Sequence, residues 1–291
     1  MEAVTDAHVH IWELARRSQP WIDPVAMAVI HRDHPVAELE TELAGAGVRS
    51  AVLVQVLNDP GETEDLLWCG DSQVVDAVIG WVDLLDPGVA ERLDELGAHT
   101  SGTRLCGIRH QALAEPDPEA WLVRAGTGPG LRALGERGLV FDLMLRPEHL
   151  SVAHDVVAAH PGTIFVLDHA GKAPVLSGWG SEDSRRWSAL MVRLARQDHL
   201  LVKLSGLTTM ADLERWITQD LAPYVDHLLE TFGPSRLVFG SDWPVSRRAA
   251  AYPRTVATAR ELVARLAPQE RAAVLSDNAR RVYRLGPAVV S

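Results

Sequence analysis

Two histidines one residue apart, His8 and His10 in the run Asp6-Ala7-His8-Val9-His10, are the first residues whose types and spacing suit chemistry. In a strand, residues i and i+2 point to one side, so both imidazoles can converge on one ion or one substrate oxygen, with Asp6 beneath them. Alone the pair is a weak signal, because either ring can equally cap the end of a strand. Two later segments carry matching groups: Leu167-Asp168-His169-Ala170-Gly171-Lys172 and Phe239-Gly240-Ser241-Asp242-Trp243-Pro244. A carboxylate and several imidazoles gathered at one place make a general base and a set of electrophiles. Asp242 also has an ordinary reading, as the turn residue of an Asp-Trp-Pro bend.

These groups need elements that bring residues 8, 169 and 242 together. Short apolar runs rich in β-branched residues recur at Val4–His10, Ser50–Val56, Val78–Val82, Leu105–His110, Val140–Leu145, Thr163–Asp168, Leu201–Ser205 and Arg236–Ser241. Each interval between them holds one helix and two loops, the βαβ rhythm. Trp187, Leu190, Met191 and Leu194 form one apolar helical stripe, and Leu221, Val225, Leu228, Leu229 and Phe232 form another that Gly233-Pro234 stops. Val36, Leu39 and Leu43 mark a helix closed by Gly45 and Gly47, and Pro147 opens one before Leu150, Ala153 and Val157. Residues 268–285 read as two short helices. Continuous rather than alternating strands, each followed by a helix, predict an α/β fold: a single, distorted (β/α)8 TIM barrel over residues 1–291 with C-terminal helices. A doubly wound sheet is the competitor, but it usually carries a glycine-rich phosphate loop where this chain has its His pair. In such a barrel the active site lies at the C-terminal ends of the strands. His8, His10, His110, His169 and Asp242 all fall there.

Composition narrows the function class. The 291 residues include 39 acidic and 28 basic side chains, a formal charge of −11, with no Lys/Arg cluster to neutralise phosphates. Nucleic acid is therefore not an expected partner. Cys69 and Cys106 form neither a disulfide framework nor a CxxC metal spacing. No secretory signal and no span of roughly 20 apolar residues is visible, so a cytoplasmic protein without a membrane partner is expected. Homo-oligomers stay open. Tryptophan is over-represented, nine against three Tyr and four Phe.

The motifs resemble the amidohydrolase superfamily, and within it the lactonase-type branch called amidohydrolase 2. They are His8-Val9-His10-Ile11-Trp12, Gly80-Trp81-Val82-Asp83-Leu84, Gly107-Ile108-Arg109-His110-Gln111, Leu167-Asp168-His169, Lys203-Leu204-Ser205-Gly206 and Phe239-Gly240-Ser241-Asp242-Trp243-Pro244, and they span nearly the whole chain. The pattern is similar to L-fucono- and L-rhamnono-lactonases, and more remotely to 2-pyrone-4,6-dicarboxylate lactonases. The resemblance implies that Asp242 is the general base toward water, and that His8, His10 and His169 hold a divalent metal or polarise the carbonyl directly. Binuclear members use a Lys or Glu on strand 4 and a His on strand 5; here stand Arg109-His110 and Phe141-Asp142-Leu143. A bridged pair of metals is not expected. A single zinc on His8, His10 and Asp242, with or without His169, and a metal-free site both remain open.

On the substrate side, Gln55, Trp81, Asp83, Arg109, His110 and Asp142 lie near the ends of strands 2 to 5, where polar groups suit a polyhydroxylated ligand. Arg109 has a structural alternative, an ion pair with Asp83 or Asp142. Trp12, Trp81 and Trp243 at strand ends, with Trp21 and Trp179 in adjoining loops, are candidates to wall a sugar-sized pocket. Trp68, Trp121, Trp187 and Trp216 read as packing. Lys172 and Lys203 are the chain's two lysines; Lys203, inside strand 7, reads as a buried ion-pair partner. The expected substrate is a neutral sugar-acid (aldono) lactone, in carbohydrate catabolism. Lactone isomerisation, metal-dependent decarboxylation and an inactive ligand-binding barrel are the alternatives.

Overall fold

The computed structural model describes residues 2–69, 72–98 and 104–286. Eight strands, β1 (Thr5–Val9), β2 (Ser50–Val54), β3 (Val75–Gly80), β4 (Arg104–His110), β5 (Val140–Leu143), β6 (Phe165–Leu167), β7 (Leu200–Leu204) and β8 (Leu237–Phe239), lie in sequence order, each parallel to the next. The ring closes at its C-terminal rim through a parallel bridge between Val9 and Trp243, with the Asp242 N–H donating to His8 O (2.9 Å) and the His10 N–H to Trp243 O (2.7 Å). This is the (β/α)8 architecture that the strand rhythm predicts.

The expected helices form as α1 (Val36–Ala46), α2 (Pro60–Leu67), α3 (Val89–Gly97), α4 (Pro118–Thr127), α5 (Gly130–Arg137), α6 (Leu150–Ala159), α7 (Glu182–Leu194), α8 (Thr218–Phe232) and α9 (Tyr252–Leu262). Gly47, at φ 68°, caps α1 in the left-handed region, where glycine has no Cβ to clash. Apolar stripes fill the layer between helices and strands; Leu39, Leu43, Trp187, Met191, Val225 and Leu228 are all buried there. Residues 268–285 differ in detail from two separate helices. They run on as α10 (Pro268–Ala272), a π-helical turn (Ala273–Asp277) and α11 (Asn278–Val282). Val282 and Tyr283 pack with Ala7, Val52, Ile79, Val140, Val166 and Val238 of the strands, so the chain's end helps to fill the barrel.

Most strands end earlier than their apolar runs, for local reasons. β3 stops at Gly80 because the Thr63 hydroxyl of α2 both accepts from the Trp81 N–H (2.7 Å) and donates to Trp81 O (2.9 Å), drawing that residue off the ladder. β6 stops at Leu167 because residues 169–172 take positive φ in succession: His169 53°, Ala170 51°, Gly171 59° and Lys172 52°. A left-handed turn of this kind costs roughly 1–2 kcal/mol per non-glycine residue, and such strain concentrates at functional sites. No helix among the described residues is long and apolar enough to cross a membrane.

Candidate active site

The site is assembled at the C-terminal rim, on the seam where β1 meets β8. The β1–β2 ladder slips between Asp6 and Val9, so β1 is irregular at the very residues that carry the His pair. Both rings nevertheless converge, with His8 Nε2 and His10 Nε2 3.1 Å apart. Asp6 lies beneath, buried. Its carboxylate accepts from the backbone N–H groups of His8 (3.2 Å) and Ser241 (2.8 Å) and from the Tyr252 hydroxyl (2.9 Å), tying the β8 turn to β1. Burial raises its pKa to about 6, against these lowering hydrogen bonds. The turn then presents Asp242 at φ 61°, with one oxygen 3.4 Å from His10 Nε2 and 3.8 Å from His8 Nε2. Close approach makes this possible, since a Cβ on Gly240 would fall 2.6 Å from His8 Cβ.

His169 arrives from the left-handed turn after β6. Its N–H donates to Ser205 Oγ (3.3 Å), and its Nδ1 shares a hydrogen bond with the same hydroxyl (2.9 Å). Burial lowers its pKa to about 4, outweighing the pull of Asp242 and Asp168. Burial alone would raise Asp242, but His169, His10 and His8 outweigh it and hold the carboxyl well below the usual range. The site therefore holds an ionised carboxylate and a neutral His169 at neutral pH. Gly206 supports that ring. A Cβ there would lie 2.9 Å from His169 Nδ1, at a φ of 64° that side chains rarely adopt. Gly206→Ala is expected to push His169 aside, lowering turnover roughly 10-fold or more and stability by about 1–2 kcal/mol, as read from steady-state kinetics and thermal melting.

Under these groups lies a buried ionic layer. Arg109 pairs with Asp168 (3.1 Å) and approaches His8 Nε2 (3.2 Å), while its other nitrogen donates to the Gln55 backbone carbonyl. The structural alternative for Arg109, an ion pair, is what forms, with Asp168 as its partner in place of Asp83 or Asp142. Asp83 lies exposed beyond β3, accepting from the Leu85 N–H (2.9 Å), and Asp142 is taken by Lys203. Lys203 also meets Asp168 (2.9 Å) and His8 Nδ1 (3.2 Å). Burial works against its charge, yet Asp142 and Asp168 prevail and raise its pKa. The reading of Lys203 as a buried ion-pair partner matches this geometry. Burial, reinforced by Lys203, lowers His8 well below its ordinary pKa, although Asp168 pulls the other way.

Other sequence candidates sit apart from this centre. His110 stacks on Trp121 (3.7 Å between centroids), accepts from the Trp81 indole N–H (3.0 Å) and meets Glu115 (2.9 Å), so its polar atoms are already engaged. Gln55 binds the Arg109 backbone carbonyl (3.0 Å) and is fully buried. Trp12 and Trp243 are buried as well, Trp12 donating to Arg32 O (2.8 Å) and lining a cavity of about 140 Å³ with Ile11, Gln19 and His34, and Trp243 packing edge-on against His34. Trp21 and Trp179 are exposed at 36% and 48%. Trp121, Trp187 and Trp216 are buried packing residues, whereas Trp68 is 71% exposed and is not. Sequence reasoning gave no role to Asp168 or Ser205. Their signal was adjacency, Asp168 beside His169 and Ser205 at the end of the seventh apolar run.

Among the described residues, two groups of donors could hold a cation. One atom each of His8, His169 and Asp242 lie within 4.8 Å of one another, and so do atoms of His8, Asp142 and Asp168. The ammonium of Lys203 already contacts all three members of the second group. His10 stands beside the first group, outside the triplet itself, with its Nε2 3.1 Å from His8 Nε2 and 3.4 Å from the Asp242 carboxylate. His10 Nδ1 lies 2.7 Å from the Val54 carbonyl, and a carbonyl can only accept, so the ring N–H points there and the Nε2 lone pair faces Asp242. A carboxylate and an imidazole lone pair 3.4 Å apart want a proton or a cation between them. This donor set fits one divalent ion.

The sequence profile of the amidohydrolase family matches residues 5–285. The chain belongs to this family. It is 35% identical over 289 residues to an L-fucono-1,5-lactonase of Burkholderia multivorans, covering 96% of this chain and 95% of that protein. A second L-fucono-1,5-lactonase, from Burkholderia ambifaria, is also 35% identical, over the same shares of the two chains. Among solved structures, an amidohydrolase from Burkholderia multivorans with bound zinc is 32% identical with a TM-score of 0.89, covering 98% of this chain and 100% of that one. Family membership makes the chain an enzyme of the amidohydrolase type.

Proposed function

We propose that the protein opens a sugar-acid (aldono) lactone by attack of water on the ester carbonyl, in the carbohydrate catabolism of the cytoplasm. The observation that carries this reading is the ionised, buried Asp242 facing three imidazoles at the barrel mouth. Asp242 takes a proton from water as the water oxygen bonds to the carbonyl carbon. Charge develops on the carbonyl oxygen, where the ring N–H of His169, free of the Ser205 contact at its Nδ1, and the nearby Arg109 guanidinium stabilise it. The acyl C–O bond of the ring then breaks, and the leaving alkoxide takes the proton from Asp242. The products are a hydroxyl and a carboxylic acid on one open chain; the acid gives its proton to solvent to become the carboxylate, and Asp242 is ionised again.

Asp6 and Tyr252 act by position, holding the β8 turn so that Asp242 faces His10. Arg109, Asp168 and Lys203 fix His8 from beneath. His8, His10, His169 and Asp242 would hold a single divalent ion, zinc by donor type, and when bound it would polarise the carbonyl and lower the pKa of water. A relative carrying zinc and the family's metal chemistry support that assignment. A lactone is an activated ester, so these residues can also act without it. Gln55, Trp81, Asp83, His110 and Asp142 are proposed to shape the substrate side, chiefly by holding the surrounding loops and Arg109.

The test is a panel of aldonolactones followed by proton release, before and after exhaustive chelation and after zinc is restored. Turnover of at least one lactone well above the spontaneous rate is expected. Loss on chelation with recovery on zinc assigns the ion a role, and unchanged turnover assigns the chemistry to the side chains. No turnover of any lactone, with carbon dioxide released from a carboxylated aromatic, contradicts the reading.

A further inference from the structure

Beside the catalytic centre, the loops that follow β4 to β7 enclose an open cleft of about 510 Å³. Its lining carries three cations, Arg146, Lys172 and Arg186, and two carboxylates, Glu148 and Asp183. Two of these charges have partners. Arg186 pairs with Glu182 (3.2 Å), and Asp183 accepts from the Ser177 hydroxyl (2.9 Å). Arg146 and Lys172 are the unpaired cations of the cleft. Among the described residues neither head group has a hydrogen bond or an ion pair, and no carboxylate, Glu148 included, lies within pairing distance.

Two further facts make this more than an unpaired surface charge. Lys172 is the last residue of the strained left-handed turn, so the backbone that aims His169 at the reacting centre also aims Lys172 at the cleft. Both cations also line the same cleft, so one anion can meet the two head groups together. Like charges held near one another without a counter-ion are stabilised when an anion bridges them, and planar carboxylates match the Arg fork. Ring opening produces a carboxylate a short distance away.

We propose that Arg146 and Lys172 form an anion seat at the mouth of the site that takes the carboxylate of a sugar acid. The inference rests on the lactonase reading and deepens it. The carboxylate comes either from a lactone that already bears an acid group or from the acid released by hydrolysis.

The test measures competitive inhibition by a six-carbon aldonate, with the alditol of the same chain as the uncharged control, at low and at high salt. The aldonate is expected to inhibit far better than the alditol, and less at high salt. Arg146→Gln and Lys172→Met should each weaken that inhibition roughly 10-fold, the effect of one charge-assisted hydrogen bond. A second arm compares a neutral aldonolactone with the monolactone of a sugar diacid. If Arg146→Gln costs the acidic lactone about 10-fold in kcat/KM and spares the neutral one, the seat reads the substrate. If only aldonate inhibition changes, it reads the product. Aldonate binding no better than alditol binding, or unchanged in both variants, overturns the proposal. Direct calorimetry of the aldonate with wild type and Arg146→Gln reads the seat even if no lactone is turned over, so the two readings fail separately.

Discussion

Asp242→Asn is expected to lower kcat/KM by about 10²- to 10⁴-fold while the protein stays folded, because a positioned general base contributes about that much. Asparagine keeps the volume and tolerates the left-handed backbone that residue 242 adopts at φ 61°. It also keeps the backbone N–H that donates to His8 O (2.9 Å), so the seam between β1 and β8 survives. The side chain loses the ability to take a proton at neutral pH. Steady-state kinetics beside thermal melting and metal content separate a lost base from a lost fold or a lost ligand. Near-normal turnover would remove Asp242 from the mechanism.

Lys203→Met should have the largest effect on stability. The ammonium is buried between Asp142 and Asp168, and no other cation reaches Asp142 within pairing distance among the described residues. Deleting one partner of a buried ion pair leaves an uncompensated charge and costs about 3–5 kcal/mol. In a chain of this size that lowers Tm by on the order of 10 °C. Coupling Lys203→Met with Asp142→Leu should restore a large part of the loss, because it removes the stranded carboxylate rather than leaving it unpaired. The same single variant frees His8 Nδ1 from the ammonium 3.2 Å away, so activity should fall even at temperatures where the fold holds. A Tm within a degree or two of wild type would show that the pair is not structurally coupled as described.

The barrel was legible because parallel strands buried on both faces read as continuous apolar runs such as Ser50–Val56 and Val140–Leu145. Strand ends were harder to read, since a side chain from another element sets them. Thr63 captures Trp81, and Ser205 anchors His169; neither contact has a periodic trace in sequence. His8, His10, His169 and Asp242 stood out because the topology delivers strand ends to one rim. The layer beneath them did not. Arg109 on β4 chooses Asp168 after β6, and Lys203 on β7 reaches back to Asp142 on β5. Those choices depend on how side chains pack inside the barrel, which alternation along any one strand does not encode. The tryptophans mark the same boundary. Trp243 stands at a strand end, yet the turn that presents Asp242 folds its indole away under His34. Position on the rim was readable, and orientation was not.

Lactone opening by water is tested most directly by running the reaction in ¹⁸O-labelled water and locating the label in the product, with the spontaneous reaction subtracted. Attack of water on the carbonyl carbon with acyl–oxygen cleavage predicts one labelled oxygen in the new carboxylate and none in the released hydroxyl. An enzyme-dependent product without label would mean acyl transfer to a substrate hydroxyl, and label in the released hydroxyl would mean cleavage of the other C–O bond. The first outcome contradicts the role of Asp242 as the base toward water, and the second contradicts attack on the carbonyl carbon.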